Sequence, residues 1–443
     1  MNEPRDQARV TFGEHLLRLP GVILIVGVMA DALPFLLGME NSESNSSFTG
    51  TKLLIAPAFL LDVVLNAKAY LAKKGILLGC IFAIAGVLLG VGTNVEYVHH
   101  LTTLLASLMV FSFAARQRTS AELLFLVRIA FLASLLIPAV QILSHYNILF
   151  AEVVVAASVD RRRLFAASNT ASFGLYFATI SAAFGGILLF RPQLRLLKLL
   201  VLVGSPVIGL LSVFSIVIAQ QRSGLLSMAI GFLVALALQF RKAGARNLLA
   251  IAGSVAIAMF VGYRFVGQTA NELDSFSDRI ISMLMTETVT ESSGGRNEMW
   301  LVFADDLKRM DGLIPPGPDY FENIFGMPPH FIIGQAFYNG GWLLMLSATA
   351  ALFLPGVYVA KAWFRKPGSE EVRLLIIILS AVYCSVLVQA LVQPVLYGRI
   401  FALLLGFCMS LGAVLKTTRA LSGAETAGAS NPDGALVEPA SPA

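Results

Sequence analysis

Three side chains carry most of the chemistry that this sequence offers. Arg222 lies in Gln220-Gln221-Arg222-Ser223-Gly224, a short polar turn between two apolar runs. Arg296 follows Gly294-Gly295 and opens the run Arg296-Asn297-Glu298-Met299-Trp300. His330 ends Pro328-Pro329-His330, just before the chain returns to apolar sequence. A guanidinium stays charged and can grip a phosphate through two parallel N–H groups. An imidazole can take a proton near neutral pH. Two of the first and one of the second suit a phosphate-bearing group with a proton transfer beside it. Each residue also has a plainer reading. Arg222 could snorkel to lipid phosphate, Arg296 could sit in a flexible polar loop, and a lone loop histidine is often simply polar.

Other polar residues rank lower. Arg161, Arg162 and Arg163, with Arg279 and Arg399, fall in segments expected to face away from the cytoplasm, where basic residues are disfavoured. Anionic headgroups could account for the arginine triplet. His99-His100 has no second pair or carboxylate at ligand spacing, so no metal site is expected. Asp31, Asp62 and Arg128 lie within apolar runs, where structural pairing is the simpler reading than a proton relay. Cys80, Cys384 and Cys408 all sit in apolar runs and read as small buried side chains. Gly294-Gly295 lacks the Lys-Ser/Thr of a phosphate-binding loop.

The elements that must position these residues are membrane helices. The chain has 443 residues, 57% hydrophobic and 13% charged, and its mean hydropathy is +0.77. A soluble domain has about 25% charged residues. Lipid cannot satisfy a bare backbone amide, so most segments must cross it as helices. The expected fold is all-α and integral to the membrane, a bundle of about 12 spans of ~20 residues each. Residues 1–20 form a cytoplasmic N-terminus, 21–266 hold spans 1–9, and 332–415 hold spans 10–12. Residues 267–331 are the one long polar loop. The tail, 416–443, is rich in Ala, Gly, Ser and Pro and is expected to be disordered. Within the loop, Met299, Trp300, Phe303, Leu307 and Met310 recur at helix spacing, with Asp305, Asp306, Lys308 and Arg309 mostly on other faces.

Basic clusters alternate strictly between spans. Lys68–Lys74, Arg116–Arg118, Arg191–Lys198, Arg241–Arg246, Lys361–Arg373 and Lys416–Arg419 share one side with the N-terminus. With the N-terminal segment they hold roughly 20 of the 32 basic residues, which makes that side cytoplasmic by the positive-inside bias. The loop 267–331 then faces out. The net charge of +5 follows from this topology and implies no nucleic-acid partner.

The layout resembles the O-antigen ligase and polymerase family of bacterial surface-polysaccharide enzymes. The matching residues are Gln221-Arg222-Ser223-Gly224, Arg296-Asn297-Glu298-Met299-Trp300, and His330-Phe331 followed by Gln335 to Trp342. Arg163 to Ala171 is similar to that family's arginine-to-asparagine outer segment. His330 precedes Phe331 where the family usually has asparagine, and Pro315-Pro316-Gly317-Pro318 loosely copies its glycine-rich stretch.

The resemblance implies an inverting glycosyltransferase in the bacterial inner membrane, with its active site facing the periplasm. It implies an undecaprenyl-diphosphate-linked glycan as donor, lipid A–core or a lipid-linked glycan as acceptor, and no metal or other cofactor. Arg222 and Arg296 would neutralise the departing diphosphate, and His330 would activate the acceptor hydroxyl. Arg163, Arg279 and Arg399 are further substrate-binding candidates. The same layout serves a repeat-unit polymerase. A transporter or flippase is an alternative of another class, disfavoured because no two halves repeat and the charges gather in outer loops. A non-catalytic assembly protein is a third.

Overall fold

The computed structural model describes residues 12–30, 50–93, 98–117, 119–139, 222–240, 296–309, 315–326, 329–365, 369–393 and 395–429. Among these residues the chain forms helices and no strands. In order they are α1 (Phe12–Ala30), α2 (Gly50–Leu71), α3 (Lys74–Thr93), α4 (Val98–Ala115), α5 (Ser120–Ser134) and α6 (Arg222–Phe240). Then come α7 (Arg296–Arg309), α8 (Pro318–Phe325), α9 (Ile332–Trp363), α10 (Glu370–Val392) and α11 (Arg399–Ala429).

Among the described residues, six stretches are long and apolar enough to cross a membrane: Lys52–Leu71, Lys74–Val91, Ser120–Ala139, Ile332–Trp363, Glu370–Val392 and Arg399–Lys416. Arg18–Ala30, His100–Ala115 and Leu226–Leu238 are shorter apolar helices. The expected sixth, seventh and ninth spans, residues 171–190, 199–219 and 248–266, lie outside the described residues. This is a polytopic helical membrane protein, with α10 and α11 buried at its centre and α2 and α3 at its edge. On that edge Val64 is 76% exposed and Leu60 59% exposed. Water would penalise such a surface, whereas lipid does not.

Several expected boundaries are corrected. The first helix starts at Phe12, inside the segment read as a cytoplasmic N-terminus, and carries Pro20 within it. The last helix continues to Ala429, so the tail expected to be disordered from residue 416 is helical that far. Its alanines favour helix. The tenth expected span is α9: its apolar run begins at about Gly341, but the helix starts at Ile332, at the expected end of the long loop, and breaks at Gly340–Gly341, where Gly341 has φ 60°. That left-handed backbone suits glycine, which has no Cβ to clash.

Contacts sort the helix ends into two sets. Lys52 Nζ donates to Thr103 Oγ1 at 3.0 Å, so α2 and α4 start together. The late residues of α3 meet the early residues of α9: a Cβ on Gly86 would lie 2.7 Å from the Gly340 carbonyl oxygen. Just before α11, the Tyr397 carbonyl accepts from Ser107 Oγ, midway along α4, at 2.9 Å, and the Tyr397 ring stacks on His100 at the start of α4. At the opposite end Asp62 of α2 meets Arg116, immediately after α4. Lys73, Lys74, Arg116, Lys361, Arg373 and Lys416 therefore belong to one end, as the alternation of basic clusters requires.

The intraspan acid Asp62 is only 1% exposed. Arg116 forks onto it, with Nη2 2.7 Å from Oδ1 and Nε 2.8 Å from Oδ2. Asn66 and Tyr70 donate to the same carboxylate, and Arg116 Nη1 reaches Glu122 at 3.1 Å. The structural-pairing reading of Asp62 holds. A buried carboxylate needs such a partner because desolvation of a lone charge is costly.

Candidate functional site

The end opposite the lysines gathers the residues of interest. Arg296 is the first residue of α7, a helix with the apolar stripe that its spacing predicts. Met299 and Phe303 are buried. Trp300, one turn after Arg296, stacks on Phe331 with ring centroids 3.9 Å apart and planes 19° apart. Phe303 meets Phe331 edge-on at 5.1 Å and Phe337 at 5.8 Å. Phe331 directly follows His330, which is half-buried. The start of α7 and His330 are thus joined by an aromatic stack, and each aromatic pair adds about 0.5–1.5 kcal/mol beyond simple burial.

One residue expected on another face points inward. Asp306 is 7% exposed. It accepts from Tyr338 Oη at 2.6 Å and from Tyr320 Oη at 3.3 Å. Asp306 is seven residues from Met299 and three from Phe303, so it shares their stripe. Reading it by charge rather than by position hid this. Burial, then the Asp306 carboxylate, pushes the Tyr320 hydroxyl above its usual range, so it stays a donor at neutral pH. Below it, Gly317 opens α8 and its N–H donates to the Tyr338 carbonyl at 3.1 Å.

The segment before α11 closes the same end. Gln335 Oε1 accepts from the Leu396 N–H at 3.0 Å, and Asn339 Nδ2 donates to Tyr397 Oη at 2.7 Å. His100 stacks on the Tyr397 ring, centroids 5.1 Å apart. Two residues on, Arg399 begins α11 and is 6% exposed. Arg222 begins α6, which Ser227 pins to α10 through a 3.1 Å bond from its hydroxyl to Gln389 Oε1. Gln389 lies in the last turn of α10, beside the segment that leads to Arg399.

Among the described helices, the starts of α2, α4, α6, α7, α9 and α11 therefore share this end. Each start carries roughly half a positive charge from its unpaired N–H groups. Three of them begin with arginine. The structure joins Arg296 to His330 through α7 and Phe331, and brings Arg222 and Arg399 to the same end through α10. Arg163 and Arg279 lie outside the described residues. The arrangement can hold an anion at the helix starts with an imidazole at its border. Sequence reading missed Asp306, Gln335, Asn339 and Tyr397. Two tyrosines, Tyr320 and Tyr338, flanking one acid on an apolar stripe were the available signal. Compared with protein-family models and with characterised proteins, the sequence matches none.

Proposed function

We propose that this chain is a membrane glycosyltransferase. It moves a glycan from an undecaprenyl-diphosphate-linked donor to an acceptor in surface-polysaccharide assembly, in the manner of an O-antigen ligase. One observation carries the reading: Trp300, a turn from Arg296, stacks on the residue next to His330. Arg222 and Arg296 then face the leaving diphosphate, and His330 faces the acceptor. The acceptor oxygen bonds to the anomeric carbon from the side opposite the diphosphate, and the bond to the diphosphate oxygen breaks. The acceptor proton passes to His330, and the electron pair stays on the leaving group. Fixed cations stabilise that growing charge without reorganising. The site belongs to the bacterial inner membrane and faces the periplasm. A repeat-unit polymerase would use the same site with a lipid-linked acceptor.

The test is glycan profiling in a deletion strain complemented with variants. Arg222→Ala, Arg296→Ala and His330→Ala each reduce product ~100-fold or more at unchanged protein level. Arg222→Lys stays poor because a lysine cannot fork onto a phosphate. Wild-type profiles for all three alanine variants would remove the proposal. The deletion strain separates the two acceptors: loss of ligation leaves long lipid-linked chains, whereas loss of polymerisation leaves single repeats.

A further inference from the structure

Between α3, α4, α9 and α11 lies a cavity of about 670 Å³ that runs from Lys73, Lys74 and Lys416 at the lysine end to Ile332 and Leu396 at the opposite end. Its volume lies within the ~300–1,000 Å³ of pockets that take small ligands. It is a slot rather than a sphere. Its wall on α11 runs from Phe401 to Lys416, roughly 22 Å at 1.5 Å per residue. The slot exists because α3 and α9 touch at one end only. A Cβ on Gly86 would strike Gly340 and Leu344, but a Cβ on Gly75 or Gly79 would meet nothing within 4 Å. Both pairs are Gly-x-x-x-Gly, a pattern that lets membrane helices approach closely. Gly86 and Gly90 are used in that way, whereas Gly75 and Gly79 face open space.

The walls are apolar and the mouth is cationic. Ala83, Leu104, Ala351 and Leu405 line the depth; Lys73, Lys74 and Lys416 line the mouth. Lys361 adds a fourth cation, 5.9 Å over the ring of Tyr358, another lining residue. Of the acids at this end, Asp62 and Glu122 are held by Arg116, and Glu370 by Arg373. Inside the slot Ser347 Oγ is shut from solvent with no hydrogen-bond partner. An apolar slot with a lysine mouth is complementary to one chemistry, an anionic head on a hydrocarbon chain. Basic pockets between membrane helices on the cytoplasmic side bind phospholipid headgroups in this way.

We propose that this cleft holds an acyl chain of an anionic glycerophospholipid from the surrounding bilayer, with its phosphate at Lys73, Lys74 and Lys416. The headgroup contacts lie at the end away from Arg222, Arg296 and His330, so the proposal stands or falls independently of the transferase reading.

The test is native mass spectrometry of the full chain, purified in detergent and exposed to mixed micelles of phosphatidylglycerol or phosphatidylcholine. About one phosphatidylglycerol per chain is retained, as one cleft with one lysine mouth requires, and phosphatidylcholine is not. The triple variant Lys73→Gln, Lys74→Gln, Lys416→Gln weakens retention on the order of fivefold per lysine. Gly79→Trp fills the slot and removes the lipid while the melting temperature holds. Equal retention of both lipids overturns the proposal, as does phosphatidylglycerol binding that the lysine variant leaves unchanged. A change from dimer to monomer in Gly79→Trp with lipid unaffected would mean that a second copy fills the cleft. If Gly79→Trp does not fold, the lysine variant decides alone, since Lys74 and Lys416 are exposed.

Discussion

Asp306 shows how one side chain can fix a site it never enters. Its carboxylate holds Tyr338 of α9 and Tyr320 of α8 at once. Asp306→Ala leaves the buried Tyr338 hydroxyl without its acceptor, a cost of about 1–3 kcal/mol. The expected outcome is a lower melting temperature and reduced glycan transfer at near-normal membrane abundance. Asp306→Asn keeps an acceptor oxygen and recovers most of both. Unchanged melting and product in Asp306→Ala would show that α7 does not depend on this clamp. Arg222, Arg296 and His330 were legible because their types are rare in apolar sequence. Asp306 was not, because an acid among Asp305, Lys308 and Arg309 looks like one more solvated charge. Arg116 was legible only in half: the positive-inside bias explains its side, but its pairing with Asp62 joins residues 54 apart in sequence.

Among the elements, α3 against α9 is the contact that shapes both ends. Gly86→Leu would drive a side chain into the Gly340 carbonyl and the Leu344 amide, each 2.7 Å from the position of its Cβ. Overpacking of this kind costs about 1–3 kcal/mol. We expect lowered thermal stability and lost transfer, since the half of α9 that follows His330 must shift. Gly75→Ala, facing open space, leaves both unchanged. Comparing the two in one thermal-melt series checks the crossing. Most helices could be read from apolar runs alone, because lipid leaves the backbone no other choice. The start of α9 could not. Gln335, Tyr338 and Asn339 are polar or amphipathic, so the run seems to begin only at Gly341. These side chains are satisfied by Leu396, Asp306 and Tyr397, which are distant in sequence.

For the molecule as a whole, sidedness is the property on which the transferase reading rests. The basic residues that gather at one end should face the cytoplasm, and α7 should face the other way. Single cysteines at Lys308 and Arg365, both exposed, test this in a chain whose own three cysteines are replaced. An impermeant maleimide should label Lys308→Cys in intact cells, and Arg365→Cys only after the membrane is opened. The reverse pattern would place the arginine-rich end in the cytoplasm and exclude a periplasmic reaction. Alternating charge made the gathering of these basic residues at one end legible in the sequence. The lysine-mouthed cleft was not, because it depends on where two helices diverge rather than on what either one contains.

The left-handed turn at Gly341 has a mechanical consequence. An unbroken rod passes tilt from one tip to the other, and α9 is not such a rod. Its leading piece is tied to α7, α8 and the segment before α11 through Gln335, Tyr338 and Asn339. Its trailing piece is tied to α10, where Tyr383 donates to the Leu352 carbonyl and Trp363 to Ser380. The break at Gly340–Gly341 divides α9, the longest described helix, into a leading piece held at the arginine-rich end and a trailing piece held by α10. A tilt imposed at one end need not be carried down this helix to the other.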